Sequence, residues 1–121
     1  MRLTGHVTGL LKEYMRDLVE QARQEMRAQE SFGFAAPRYR PDQALSDLLA
    51  ILDDRIESEG LQVGLPEGFL HQMWKLCENG RPGIEEAVWL EASLIGSAPS
   101  KALVRELTYR ALIDYIERQA D

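Results

Sequence analysis

A chain of 121 residues and 13.8 kDa, 45% apolar and 28% charged, has the length of one domain. That balance excludes a disordered or fibrous chain, and no apolar run approaches the ~20 residues that span a bilayer. The net charge of −6 is unevenly spread: residues 1–40 carry seven basic and five acidic side chains, residues 41–121 seven and fifteen.

The acidic body repels phosphate backbones, so nucleic acid is a disfavoured partner. Met1–His6 leads into no apolar h-region, which predicts no secretory signal, no membrane association and a cytoplasmic location. The single cysteine, Cys77, excludes an internal disulfide and fits a reducing compartment. Eleven arginines against three lysines, with twelve alanines, fit a GC-rich bacterial coding sequence.

The first predicted helix starts at Thr8 or Thr4 and ends at Gln29. Val7, Leu11, Tyr14, Met15, Leu18, Ala22 and Met26 step by threes and fours along one face. At ~1.5 Å per residue it exceeds 30 Å, more than so small a domain needs, and leaves part of its stripe without an intramolecular partner. Leu11, Met15, Leu18, Ala22 and Met26 step 4-3-4-4, close to a heptad seam, which predicts a homodimer or a groove for a partner's helix.

Glu30–Pro41 breaks the pattern at Gly33, Pro37 and Pro41. Phe32, Phe34, Arg38, Tyr39 and Arg40 crowd into nine residues, the composition of a protein-binding hot spot. The same residues also suit a lid, its aromatics folded onto the helices and its arginines paired with acids. A second helix follows to about Glu57, with Asp42 as N-cap or Pro41 as an early helical position. Its stripe is Leu45, Leu48, Leu49, Leu52 and Ile56, and Glu59-Gly60 is its stop.

Leu65-Pro66-Glu67 restarts the chain as a third helix, with Phe69, Leu70, Met73, Trp74 and Cys77 as its buried stripe. Asn79-Gly80-Arg81-Pro82-Gly83 is the densest punctuation in the chain and predicts a turn. A fourth helix then covers Ile84–Ile95, with Ile84, Ala87, Val88, Leu90, Leu94 and Ile95 as its apolar positions, and is ended by Gly96-Ser97-Ala98-Pro99. Ser100 caps a fifth, reaching about Gln119, with Leu103, Val104, Leu107, Ala111, Leu112, Tyr115 and Ile116 as its stripe. No segment alternates with a period of two. The expected fold is all-α: a single small domain, residues 1–121, of about five helices in an irregular bundle with one long N-terminal helix.

Candidate chemistry is sparse. Asp53 and Glu57 share a helix face and could meet a divalent metal, but one carboxylate pair leaves most of an octahedral shell unfilled, and Glu85-Glu86 is the only other acidic doublet. His71 and Cys77 lie six residues apart, about 120° out of alignment on a helix, so His71 reads as surface and Cys77 as core filler. The segments flanking Asn79–Gly83 have the outline of a helix-turn-helix. The recognition segment Ile84–Ile95, however, offers Glu85, Glu86 and Glu91 and no basic residue.

The expected function is therefore a non-catalytic protein-binding regulator with no cofactor and no metal, acting by sequestering or masking a partner. An anti-activator-like negative regulator of a transcription factor comes first; a toxin-immunity protein and a dedicated chaperone belong to the same class. The expected partner-binding residues are Leu11, Met15, Leu18, Ala22, Phe32, Phe34, Arg38, Tyr39 and Arg40. The alternative is a metal-dependent hydrolase built on Asp53, Glu57 and Glu85, and a nucleic-acid-binding protein stands third.

Overall fold

The stripes at helical period are helices in the computed structural model, which describes residues 5–30, 39–58, 67–95 and 100–119. They are α1 (Gly5–Glu30), α2 (Pro41–Ser58), α3 (Phe69–Ile95) and α4 (Lys101–Gln119). Among the described residues 94% are helical and none is in a strand, so the fold is all-α with four helices rather than about five.

Three of the helix starts have a local cause. At α2, Pro41 takes the first helical position, where its missing N–H would have been unpaired in any case. The backbone N–H of Arg40 donates to Oε1 of Gln43 (3.3 Å) and its carbonyl accepts from Ala44 N (3.1 Å), so Arg40 caps the helix and Asp42 sits in the first turn. At α4, Ser100 Oγ accepts from Leu103 N at 3.1 Å, the cap expected from the sequence. At α3, Gly68 has φ +77°, a conformation that favours glycine, and its carbonyl accepts from Gln72 N. The helix thus begins at Phe69, not at the expected Leu65-Pro66-Glu67, of which Leu65 and Pro66 lie outside the described residues, as do Glu59-Gly60 and Gly96–Pro99.

The main correction is at Asn79–Gly83, which is not a turn: α3 runs through it without interruption and carries Pro82 inside. A proline there removes one hydrogen bond and crowds the carbonyl four residues back, at a cost of about 3 kcal/mol in an isolated helix. Packing outweighs that cost. Met73, Cys77, Gly80, Ile84, Val88 and Ala92 are all buried and step 4-3-4-4-4, so one core-facing stripe crosses the proline in phase. Gly80 lets the Tyr115 ring of α4 approach so closely that a Cβ there would sit 3.0 Å from its ring carbons. With the turn gone, so is the geometry that a helix-turn-helix requires.

α4 is the helix on which the others are assembled, and α1, α2 and α3 all pack against it. Ala102, Leu103, Val104, Leu107, Tyr109, Leu112 and Ile116 bury most of its circumference. α1 runs antiparallel to α4, fixed by ion pairs Lys12–Glu117 (3.0 Å) and Arg23–Glu106 (2.6 Å) and by Arg105 bonded to Glu25. α2 crosses to α3 through Asp42–Arg81 (3.7 Å) and to α1 through Arg55, which pairs with Asp17 (3.8 Å) and lies over the Tyr14 ring.

Candidate functional site

The stripe expected to bind a second copy is core. Leu11, Met15, Leu18 and Ala22 are buried within this chain, on the helix that packs most extensively against α4. Burying such side chains contributes roughly 1.5–3 kcal/mol each for the larger ones. The expectation of a stripe lacking an intramolecular partner is overturned at these four positions, and a dimer formed through them would have to open the bundle.

Of the aromatic and arginine segment, Phe32, Phe34 and Arg38 lie outside the described residues. Tyr39 is half-buried against the core, its hydroxyl donating to Asp47 and its ring beneath Lys101 Nζ at 5.4 Å. Burial, then the hydrogen bond to Asp47, holds its hydroxyl in the protonated form to unusually high pH. Arg40 is exposed, 3.4 Å from Asp42. Tyr39 thus lies on the body of the bundle and Arg40 at its edge.

The residues weighed for chemistry do not converge. Asp53 and Glu57 are exposed on α2, whereas Glu85 pairs with Arg81 on α3 at 3.5 Å. Among the described residues no three of His, Cys, Asp and Glu stand together as a metal site. His71 is exposed, and Cys77 is buried with its thiol pushed up to about 12 by desolvation, the reverse of an activated nucleophile. Tyr109 is buried on α4, its hydroxyl likewise raised to about 12 by burial and without a hydrogen-bond partner among the described residues.

Two features remain. A cleft of about 350 Å³ lies between α2 and α3, lined by apolar Leu45, Leu49, Trp74 and Cys77 and by charged Asp42, Glu78 and Arg81. Arg81 pairs with Asp42 across the cleft and with Glu85 on its own helix. The other feature is larger in apolar content. Every large hydrophobic side chain that is exposed among the described residues belongs to α3: Trp74 (52%), Trp89 (42%), Leu90 (63%), Leu94 (79%) and Ile95 (52%). Four of the five fall within Trp89–Ile95. Val88 and Ala92 face the core there, and at ~100° per residue Leu90 and Leu94 each lie about 200° away, on the opposite side.

Neither protein-family models, nor curated protein sequences, nor solved structures match the chain. Its own geometry carries the functional reading.

Sequence reasoning missed this surface, having placed Trp74 in a buried stripe and grouped Leu90, Leu94 and Ile95 with Ile84 and Val88 as apolar positions of one segment. The signal was present. Val88-Trp89-Leu90 and Leu94-Ile95 put more apolar residues on the helix than one face can hold once Ile84, Val88 and Ala92 occupy it. No helix among the described residues is long and apolar enough to cross a membrane, so a bilayer span does not account for the excess.

Proposed function

We propose that this protein works by binding another protein and masking part of its surface, with the exposed end of α3 from Trp89 to Ile95 as the principal contact. The observation that carries this reading is the concentration of exposed Trp89, Leu90, Leu94 and Ile95 on one end of one helix. Single exposed apolar residues are ordinary on a protein surface, whereas several large ones gathered on one helix end mark an interaction site. Tryptophan is the residue type most enriched at binding hot spots, and it stands here beside two leucines. A negative regulator that covers a transcription factor's dimerisation or DNA-binding surface fits best among such binders. A toxin-immunity protein or a dedicated chaperone would use the same kind of face. The segment carrying Phe32, Phe34 and Arg38 belongs to the proposal as a second contact.

Affinity purification from the native host, read by mass spectrometry, tests the reading. Wild type is compared with Leu90→Glu/Leu94→Glu and with Phe34→Ala/Arg38→Ala. A protein retained by wild type and lost with the first variant is the expected result. Identical sets of captured proteins from wild type and both variants contradict it.

A further inference from the structure

The exposed end of α3 carries a one-sided charge as well as apolar area. From Pro82 to Ile95 the sequence has Glu85, Glu86 and Glu91 and no lysine or arginine. Glu85 is engaged by Arg81 and Glu91 by Arg110, each at 3.5 Å. Glu86 is exposed, one turn before Leu90, and makes no ion pair among the described residues. The last turn of α3 has no basic side chain, so the partial negative charge of the helix C-terminus goes unanswered by the helix itself, in the turn that exposes Leu94 and Ile95.

From this combination we infer that the face accepts a cationic amphipathic helix of another protein, with its apolar side along Leu90 and Leu94 and its lysines or arginines toward Glu86 and the end of α3. The inference rests on the protein-binding reading above and adds the partner's chemistry to it. Glu86, Leu90 and Leu94 form a row of i,i+4 neighbours, and Ser93 leaves a shallower position between that row and Trp89, the relief into which a helix ridge packs. Charge decides among occupants. A two-fold contact with a second copy sets Glu86 and the negative end of α3 against their own copies, because Arg81 and Arg110, the bases beside this face, are already engaged by Glu85 and Glu91. An anionic lipid surface meets the same repulsion.

The test uses two dye-labelled helical peptides of roughly 18 residues, about 27 Å long. They share one leucine stripe; the polar face carries lysine in one and glutamate in the other. Fluorescence anisotropy with the full chain measures their affinities, and sedimentation of the chain alone measures its association. The lysine peptide should bind at least ~10-fold more tightly than the glutamate peptide. Leu90→Gln/Leu94→Gln, which leaves net charge unaltered, should weaken it by ~10-fold or more. Glu86→Gln should weaken it by ~2–5-fold, and both variants should melt like wild type. Equal binding of the two peptides, lost with the leucines, overturns the cationic partner and leaves the protein-binding face standing. Lysine-peptide binding that ignores Leu90 and Leu94 is diffuse attraction to an acidic chain, and both readings then fail. A wild-type dimer that becomes monomer in Leu90→Gln/Leu94→Gln names the second copy as occupant and overturns the inference.

Discussion

The inner face of α1 and the outer face of α3's second half are made of similar residues and have opposite fates. On α1, Leu11, Met15, Leu18 and Ala22 lie in the core of the bundle, and Arg23–Glu106 and Lys12–Glu117 tie the helix to α4. On α3, Leu90 and Leu94 stand open, although Val88 and Ala92 on the reverse of the same turns are buried. A stripe at heptad-like spacing says only that a helix has an apolar face. Whether the face serves the fold or a partner depends on what is left once the bundle has taken its own contacts. In α1 the stripe is used up; in α3 the core takes one side, and the apolar residues on the other side have no structural use within the described chain.

The contrast can be broken in several ways, beginning with the largest expected effect. Met15→Ala removes a fully buried side chain beneath α4 and should destabilise the fold by about 2–5 kcal/mol in urea titration. A loss below about 1 kcal/mol would mean that α1 is not packed as described. Pro82→Ala restores a backbone donor inside α3 and should stabilise by up to about 3 kcal/mol, seen as a higher melting temperature. A fall instead would show that α3 needs its proline to align its two halves on α4. Glu106→Ala deletes a buried carboxylate that accepts from Arg23; because that guanidinium is part-exposed and screened, the melting temperature should fall by less than it does in Met15→Ala. Leu94→Ser, at the most exposed of these positions, should change stability by no more than about 0.5 kcal/mol. Cys77 supplies a chemical check on the core. With the thiol pushed up to about 12 by burial, iodoacetamide at pH 8 should label the folded chain far more slowly than the urea-unfolded one.

Much of the fold was legible in the sequence because helical period is a strong signal where one face is apolar and the opposite face charged. α4 has its expected limits, α1 ends one residue beyond its expected end and starts at Gly5, between the two expected starts Thr4 and Thr8, and Ser100 caps α4 through its hydroxyl as its residue type implies. The turn at Asn79–Gly83 was misread for a physical reason. Gly80, Pro82 and Gly83 disfavour helix locally, and local preference loses to a stripe that keeps phase from Met73 to Ala92 and to a Tyr115 ring that needs a glycine opposite it. The candidate site was less legible still. The Leu11–Ala22 seam looks like an interface because sequence shows spacing and not the neighbour that fills it. Trp89, Leu90 and Leu94 look like core until the direction of Val88 and Ala92 is known. Position on the helix separates them, and that angle has meaning only once the core side is identified.

One comparison tests the central claim most directly: thermal melts of Leu18→Glu and Leu90→Glu, followed by circular dichroism. The same chemical change is made on each of the two faces. Leu18→Glu buries an unpaired charge under α4 and should unfold the chain or lower its melting temperature steeply. Leu90→Glu adds a charge to a side already open to water and should melt within a few degrees of wild type. If Leu90→Glu proves as damaging as Leu18→Glu, that face of α3 is covered by the chain itself and is not a surface offered to a partner.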